Sequence, residues 1–412
     1  MRISRFMSSV LCVVSPFFVR PICGSEPFTG YLFAYFTGND NTKNQESIFF
    51  ALSEDGHTFK KLNRGNPVLV SREISLEGGV RDPHILRGEN SDYYMVATDM
   101  VSAKGWASNS GIVMLRSNNL TDWQSSTVDI TTEFSQYANV DRVWAPQTIY
   151  DPVEKKYMVY LAMRIGPTDK DKIYYAYADS AFTKLESAPK LLYQYGSNSA
   201  IDADIIYKDS TWHLFFKTEQ SGNGIKKATS GNLTGDYVLY DKYLQVTNSA
   251  VEGSCVFRLI DSDNYVLMYD VYTSGRYEFA LSADLMNFTI DPTPVSFDFT
   301  PRHGTVIPIT QSEKMALYAR WDPTVAICGS RRASSPLHLS CRNNTLTVTS
   351  GDMNGAFAVS LFDLSGKRLF ERRVTAGKTR VPLSGLSAGV YQVTCRGSNL
   401  YRAMDMERVV VR

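Results

Sequence analysis

Three acidic residues and one histidine stand where apolar, strand-like segments begin. Asp82, Asp202 and Glu252 each precede such a segment, and His303 precedes another. Two carboxylates on opposite sides of a bound sugar can hydrolyse a glycosidic bond, because one protonates the departing oxygen and the other activates a water molecule. A third carboxylate can raise the pKa of the acid through like-charge repulsion. Crowded carboxylates cost electrostatic energy, so a shared location would indicate catalysis or cation binding.

A repeated segment predicts the architecture that would bring these residues together. Five times, an apolar strand leads to a small residue and, in most copies, to an aromatic residue soon afterwards. The small residues are Ser53, Ser117, Ala178, Ser230 and Ser282, separated by 64, 61, 52 and 52 positions. This period is too long for a hairpin and fits a four-stranded propeller blade. The alternative is an antiparallel sandwich with a chance repeat.

A second repeated segment, interleaved with the first, holds the candidate residues. It begins with a polar or small residue, continues as an apolar strand and is followed, after a turn, by another apolar strand. Its five starts are Asp82, Ala145 with Pro146, Asp202, Glu252 and His303. In a propeller the first strand of each blade lines the central channel, so we expect these five positions to converge at one end of the axis.

The fifth copy of this segment is incomplete. No obvious strand follows the one that begins at His303; Thr310 and Glu313 instead form a capping-box pattern that predicts a short helix ending near Trp321. The apolar segment 31–36 lacks a preceding strand, so we expect it to pair with the strand after His303 and to close the ring. The sequence therefore predicts an all-β, five-bladed β-propeller over residues 27–322.

The order and spacing of five short motifs resemble glycoside hydrolase family 43, whose members are five-bladed propellers. The motifs are Arg81-Asp82-Pro83, Trp144-Ala145-Pro146, Ile201-Asp202, Val251-Glu252-Gly253 and Arg302-His303-Gly304-Thr305. The resemblance covers residues 30–321 and implies removal of arabinose, xylose or galactose units from plant-type polysaccharides or oligosaccharides, with inversion. It also implies that Asp82 is the general base, Asp202 the pKa modulator and Glu252 the general acid. An inverting pair should hold its carboxyls about 6.5–9.5 Å apart.

Several positions have alternative interpretations. Asp204 competes with Asp202, because the two lie on one strand two residues apart. Trp144 could be a sugar platform, since an indole face stacks on a sugar ring, or it could pack between blades. Arg302 and His303 are candidate substrate-binding residues. The alternative function is a sugar-binding propeller without catalysis, in which the acids would be scattered or occupied by a metal.

The predicted chemistry requires no cofactor. The resemblance allows a structural calcium ion in the propeller channel, which His303 could help to hold. Imidazole is a poor calcium ligand, so oxygen atoms and water would supply most of the contacts. The sequence therefore indicates no specific metal-ligating residue.

The overall composition restricts the partners. The chain has 43 Lys+Arg and 42 Asp+Glu, a net charge of +1. This balance argues against nucleic acid, because phosphate binding needs a concentrated basic surface. A hydrophobic content of 43% supports a folded core, and an aromatic content of 12% favours strands. We expect a carbohydrate substrate, no nucleic-acid partner and no membrane span.

Residues 1–25 have the pattern of a secretory signal peptide. Arg2 and Arg5 precede an apolar run over residues 6–19, which is too short to span a membrane. Cys23 could instead carry a lipid, although the residues before it make a poor lipoprotein signal. The pattern predicts a protein that is secreted or attached to the cell surface.

The C-terminal part of the sequence predicts a second domain. Residues 323–336 are a polar linker, and short alternating strands over residues 337–412 indicate a small Ig-like β-sandwich. The segment 383–391 resembles type IX secretion sorting domains, which implies contact with secretion machinery; a carbohydrate-binding module is the alternative. Cys341 and Cys395 could pair in an oxidising compartment or remain buried thiols.

Overall fold

The computed structural model of the protein describes most of the chain. Residues 26–219 and 223–322 are described in its N-terminal and central parts. In the C-terminal part, the described residues are 337–342, 345–350, 356–362, 368–375, 378–383, 386, 389–397 and 403–411. The predicted signal peptide over residues 1–25, including Cys23, and the predicted linker over 323–336 lie outside the described residues.

Four antiparallel four-stranded sheets and one five-stranded sheet form a five-bladed β-propeller, as the repeats predict. Blade 5 begins in the N-terminal strands β1 (Phe28–Tyr35), β2 (Phe49–Ser53) and β3 (Thr58–Lys61). Blade 1 consists of β4 (Val80–Arg87), β5 (Tyr93–Asp99), β6 (Gly111–Ser117) and β7 (Gln124–Asp129). Blade 2 consists of β8 (Val140–Asp151), β9 (Lys156–Ile165), β10 (Lys172–Tyr177) and β11 (Lys190–Tyr193).

The remaining strands complete the ring. Blade 3 consists of β12 (Ala200–Lys208), β13 (Thr211–Thr218), β14 (Ile225–Ser230) and β15 (Val238–Tyr240). Blade 4 consists of β16 (Glu252–Arg258), β17 (Tyr265–Val271), β18 (Arg276–Ser282) and β19 (Thr289–Ile290). The short β20 (Ser296–Phe297) pairs in parallel with β3, and β21 (Gly304–Thr310) is the inner strand of blade 5.

Strand β21 closes the ring by pairing with β1, as the incomplete fifth copy predicts. The two strands run antiparallel from the Gly304–Tyr35 pair to the Thr310–Phe28 pair. The blade therefore combines N-terminal and C-terminal strands, and their backbone hydrogen bonds close the ring.

Helices are short and lie between or after strands. They are α1 (Ser71–Ile74), α2 (Ile130–Glu133), α3 (Gln311–Trp321) and the 3-10 helices Asn41–Lys43, Asn63–Gly65, Ser102–Lys104 and Ser135–Tyr137. Helix α3 starts at the predicted capping box: the Thr310 hydroxyl accepts the backbone N–H of Glu313, whose carboxylate accepts the N–H of Thr310. The same carboxylate binds both terminal nitrogens of Arg87 at 2.7 Å, which links α3 to blade 1. None of the described helices is long and apolar enough to cross a membrane.

The propeller strands are apolar because neighbouring blades cover both of their faces. All seven residues of β5 are buried. An apolar cluster containing Val96 and Leu161 joins blades 1 and 2, and another containing Tyr160 and Leu214 joins blades 2 and 3. Continuous apolar runs bounded by turns are typical of strands buried on both sides.

The C-terminal strands form two antiparallel sheets. The first contains β22 (Leu337–Arg342), β23 (Thr345–Ser350) and β26 (Lys378–Pro382); the second contains β24 (Ala356–Phe362), β25 (Arg368–Thr375), β27 (Gly389–Gly397) and β28 (Ala403–Val411). A shared core that includes Leu346, Val381, Leu361 and Val393 joins the two sheets. This arrangement is the predicted β-sandwich. The side chains of Cys341 and Cys395 are outside the described set, so their pairing stays a prediction.

Candidate active site

A cavity of about 490 Å³ opens where the inner strands of the blades begin. The six site residues that the sequence predicts all line it: Asp82, Trp144, Asp202, Glu252, Arg302 and His303. These residues come from blades 1 to 5, so the ring brings together side chains that are far apart along the chain. The convergence expected from the repeats is therefore observed.

A β-bulge recurs in the inner strands and aims side chains into the cavity. The strand register shifts between Arg81 and His84, Trp144 and Gln147, Ile201 and Asp204, and Glu252 and Cys255. The residue after the first of each pair has a left-handed backbone, with φ of 50° at Asp82, 42° at Ala145, 51° at Asp202 and 63° at Gly253. Bulges commonly re-aim side chains next to active sites.

The bulges correct one detail of the sequence alignment between blades. The repeats align Glu252 with Asp82 and Asp202. In the structure this alignment is wrong, because Glu252 lies one residue before the equivalent position. Gly253 occupies the equivalent position, whereas Glu252 is equivalent to Arg81 at the residue before the bulge. Both positions face the cavity, since Arg81 and Asp82 line it together. A bulge inserts an extra residue into one strand, a change that the apolar pattern does not reveal.

Asp82 is held as a carboxylate by polar neighbours. The Thr98 hydroxyl donates to its Oδ2 at 2.9 Å, and His303 Nδ1 lies 3.3 Å from its Oδ1. The same hydroxyl accepts the N–H of Ala145 at 2.8 Å, which directs its proton to Asp82. Burial favours the neutral acid, but His303, Arg81 and Thr98 together outweigh burial and lower the pKa of Asp82. Asp82 is therefore ionised at neutral pH and can accept a proton.

Asp202 lies in a less favourable environment for charge. Its Oδ2 accepts the backbone N–H of Gly253 at 3.0 Å, and its side chain is buried. Burial, together with the charges of Glu252 and Asp82, raises the pKa of Asp202 to about 6, although His303 and Lys217 oppose the shift. Asp202 therefore takes up a proton at a higher pH than Asp82 does.

Glu252 is contacted by two cations. Arg302 Nη2 donates to its Oε1 at 2.6 Å, and Lys217 Nζ lies 3.5 Å from its Oε2. Each cation also has a second carboxylate: Arg302 Nε donates to Asp270 at 2.6 Å, and Lys217 lies 3.4 Å from Glu219. The cations can thus shift between acceptors without losing all ionic contacts.

His303 occupies the centre of the carboxylate group. Burial disfavours its charge, but the nearby carboxylates of Asp202, Asp82 and Glu252 raise the pKa of His303 to about 9. Its ring packs against Gly253, where a Cβ would lie 2.8 Å from the ring Cγ. A glycine is therefore needed beside the imidazole for two reasons, the left-handed backbone and the close approach. His303 is a buried cation that supports its acidic neighbours.

Asp204, the alternative to Asp202, does not line the cavity. It lies beyond the bulge, where one of its oxygens accepts the N–H of Val256 at 2.6 Å. Burial raises the pKa of Asp204 to about 7. Its hydrogen bond joins blade 3 to blade 4. Of the two aspartates, Asp202 is the one that faces the cavity.

Trp144 combines the two alternatives that the sequence leaves open. It lines the cavity and also packs against the core between blades 2 and 3. The guanidinium of Arg142 lies 4.0 Å from its ring centroid, and Trp106 meets it edge to face. Arg142 is itself held by Asp171 at 3.2 Å. One face of the Trp144 indole is therefore covered by a cation, and only part of the ring is open to a ligand.

Sequence reasoning missed three functional neighbours on the second strands of the blades. Thr98, Lys217 and Asp270 pair across the strands with Arg81, Ile201 and Glu252, the residues that precede the bulges. Their common signal is a polar side chain at the end of an otherwise apolar second strand. Such a residue should be hydrogen-bonded when buried, so it could have been assigned to the site.

The described side chains do not form a direct metal site. Among residues 26–219 and 223–322 and the described C-terminal strands, no group of three or more His, Cys, Asp or Glu side chains is placed to hold a metal ion. His303 contacts Asp82 instead, and calcium prefers six to eight oxygen ligands. The calcium ion allowed by the resemblance therefore does not fit a protein ligand set here.

A five-bladed propeller that gathers three carboxylates around one cavity has the groups needed to cleave a glycosidic bond. A family model described as "Probable glycosyl hydrolase domain", of the group related to glycoside hydrolase family 43, matches residues 26–315. The match covers most of the chain, and the protein belongs to this family.

Individual relatives are more distant. The chain is 26% identical over 245 residues to an alpha-L-arabinofuranosidase of Bifidobacterium longum; the match covers 55% of this chain and 22% of that protein. The chain therefore spans less than a quarter of the length of this relative.

Solved structures with similarity include an endo-arabinase from Bacteroides thetaiotaomicron, with 14% identity, coverage of 66% of this chain and 97% of that chain, and a TM-score of 0.47. A family 43 arabinoxylan arabinofuranohydrolase from Bacillus subtilis has 12% identity, coverage of 93% of each chain and a TM-score of 0.45.

Proposed function

We propose that this protein is an inverting glycoside hydrolase that removes arabinose, xylose or galactose-type units from plant-type polysaccharides or oligosaccharides. The observation that carries the proposal is the presence of Asp82, Asp202 and Glu252 around one cavity. Membership of the glycosyl hydrolase family supports it, and the similarity to an arabinofuranosidase makes arabinose the first sugar to test.

In the proposed reaction Asp82 is the general base and Glu252 the general acid. Asp82 takes a proton from a water molecule, whose oxygen forms a bond to the anomeric carbon. The bond from that carbon to the departing oxygen breaks, and Glu252 supplies the proton to this oxygen. The low pKa of Asp82 supports its role, because a base must be ionised before the reaction.

The acid step requires Glu252 to carry a proton. A protonated Glu252 has no charge, so Arg302 and Lys217 must then turn towards other acceptors. Asp270 and Glu219 already accept from these cations. Asp202, in the proposed role of modulator, lies among the same charges. Its negative charge favours protonation of Glu252 by like-charge repulsion. Arg302 and His303 also provide donors for sugar hydroxyls.

A sugar-binding propeller without catalysis is the competing function. It requires no shared location for the acids, so their convergence supports the enzyme. Turnover of aryl arabinofuranosides, xylosides and galactosides by the wild type and by Glu252→Gln separates the two functions. We expect the variant to lose about a hundredfold or more on substrates with poor leaving groups and much less on activated aryl substrates, because only the former need the acid. Equal turnover by both proteins of the substrates with poor leaving groups would contradict the proposal.

The stereochemical outcome tests the mechanism separately. An NMR spectrum recorded early in the reaction shows which anomer is released first. Inversion is expected if the Asp82 and Glu252 carboxyls are about 6.5–9.5 Å apart, with room for a water molecule between them and the sugar. Release of the retained anomer would instead indicate a covalent intermediate and would contradict the assignment of Asp82 as a base.

We propose in addition that the protein is exported and that residues 337–412 are recognised by a type IX secretion system. The support is the signal-peptide pattern of residues 1–25 and the resemblance of segment 383–391 to sorting domains. Cell fractionation of the full chain and of a chain ending at residue 336 tests this proposal. The truncated chain should remain in the periplasm; equal export of both chains would contradict a sorting function.

A further inference from the structure

Trp106 differs from the other tryptophans of the protein. The chain contains five tryptophans, all within residues 26–322. Trp106 is 51% exposed, whereas the other four are buried or half-buried. It also lines the cavity that contains the three carboxylates. A large, half-exposed aromatic ring that lines a polar cavity offers a face on which a ligand can stack.

The loop that carries Trp106 is fixed at both ends. Near its start, the backbone N–H of Ser102 donates to the buried carboxylate of Glu46 at 2.9 Å. Near its end, Asn109 Nδ2 donates to the backbone oxygen of Val143 in blade 2 at 2.5 Å. Glu46 also binds Arg81 at 3.1 Å, so the loop is tied to the residue next to Asp82.

The ring itself is held by its neighbours. The Arg81 guanidinium lies 5.3 Å from the Trp106 ring centroid, and the Trp144 centroid is 6.2 Å away at an interplanar angle of 83°. These cation–π and edge-to-face contacts fix the orientation of the ring while about half of its surface stays exposed. Ligand binding to a ring that is already oriented does not have to order it.

The cavity has room for more than one sugar. Cavities of roughly 300–1,000 Å³ hold drug-sized ligands, and this cavity has a volume of about 490 Å³. The sugar that reacts must reach the buried Asp202 and the neighbouring Asp82. A second sugar unit of the same chain would then lie nearer the mouth, where Trp106 is exposed.

We propose that Trp106 is the stacking platform for a second sugar unit, which is joined to the sugar that reacts at the carboxylates. This inference rests on the proposed function and narrows it: the preferred substrate is an oligosaccharide or polysaccharide rather than a small glycoside. The apolar face of the second sugar covers the exposed indole. Trp144 offers less surface for stacking than Trp106, because Arg142 covers one of its faces.

The experiment compares substrates with one and with several sugar units. A glycosyl fluoride contains one sugar and a leaving group too small to reach Trp106, whereas a di- or trisaccharide of the same sugar reaches it. We expect Trp106→Ala to lower kcat/KM for the oligosaccharide about tenfold and for the fluoride less than about twofold. Trp106→Phe should keep most of the oligosaccharide activity. Equal loss on both substrates, or no loss on either, would overturn the inference.

Tyr207 provides a matched control. It is 54% exposed and does not line the cavity, so Tyr207→Ala should leave both activities unchanged. Calorimetric titration of the wild type and Trp106→Ala with arabino-, xylo- and galacto-oligosaccharides separates this inference from the proposed function. Binding that weakens in Trp106→Ala without turnover by the wild type would contradict the enzyme and support the platform. Turnover with equal binding by both proteins would support the enzyme and overturn the platform.

Discussion

Asp82 in blade 1 and Asp202 in blade 3 have the same backbone geometry and opposite electrostatics. Both follow the point where the inner strand shifts register, and their φ angles are 50° and 51°. Yet the pKa of Asp82 is lowered, whereas that of Asp202 is raised to about 6. Equivalent positions in a repeat fold can therefore support different chemistry.

The difference arises from the residues opposite each aspartate. Asp82 accepts from the Thr98 hydroxyl and faces the positively charged His303. Asp202 accepts a backbone N–H from Gly253 and shares its buried surroundings with other carboxylates. The bulge aims each side chain at the cavity, and the neighbouring strand and blade decide its charge. The result is an ionised base beside a modulator whose pKa is raised.

Replacement of Asp82 should have the largest effect. Asp82→Asn keeps the size of the side chain and removes the proton acceptor, so we expect kcat to fall about a thousandfold on every substrate. Steady-state kinetics with an aryl glycoside and a glycosyl fluoride measure the loss, and circular dichroism checks the fold. A decrease below tenfold would exclude Asp82 as the base.

The two aspartates should also have opposite effects on stability. The folded-state pKa of Asp202 exceeds its ordinary value of 3.8, so the contribution of Asp202 to wild-type stability falls as the pH rises from about 4 to 6. Asp202→Asn removes this penalty and should raise the free energy of unfolding at pH 7 by up to about 3 kcal/mol, with no gain below pH 4. Asp82→Asn should lower stability at pH 7, because its ionised form is favoured in the fold. Denaturant titrations at both pH values test this; changes of the same sign would contradict the comparison.

Removal of the His303 charge should make Asp82 more like Asp202. In His303→Gln the pKa of Asp82 should rise, because a hydrogen-bonded positive charge is lost. The base must be ionised, so the acidic limb of the pH profile of kcat/KM should move to higher pH. A purely structural role of His303 would lower activity at all pH values without moving the limb.

The smallest effect concerns the glycine that replaces aspartate in blade 4. Gly253→Ala introduces a Cβ at a φ of 63°, 2.8 Å from the His303 ring, and should lower the free energy of unfolding by about 1–3 kcal/mol. Gly78→Ala is the matched control, because Gly78 has a φ of 87° and its added Cβ would meet nothing within 4 Å. The loss at Gly253 should exceed that at Gly78. Equal losses would show that only the backbone matters.

The sequence predicted much of the propeller because its signals are local. Apolar runs that end in small residues mark the strands of each blade, and the capping box at Thr310 and Glu313 marks α3. The strand after His303 lacks a following strand, and the segment that begins at Tyr31 lacks a preceding one. Together these two features predicted the closure. The same spacing identified Asp82, Asp202, Glu252 and His303, and the motifs that resemble glycoside hydrolase family 43 added Trp144 and Arg302. All six line the cavity.

Other features of the site depend on contacts between strands. The position of Glu252, one residue before the bulge, could not be read from the apolar pattern, because a bulge changes the register without changing the composition. Lys217 and Asp270 were missed because their ionic partners, Glu252 and Arg302, lie 35 and 32 residues further along the sequence. The contact of the Arg142 guanidinium with the Trp144 ring was also missed.

The amino-acid sequence by itself determined the number of blades, the closure and the types of residue at the start of each inner strand. These are properties of short segments, in which apolar periodicity and turn residues act within a few positions. Only the tertiary structure decided that the pKa of Asp82 is lowered and that of Asp202 is raised. Burial and the distances to Thr98, His303 and Gly253 set those pKa values, and these quantities exist only once the ring has closed.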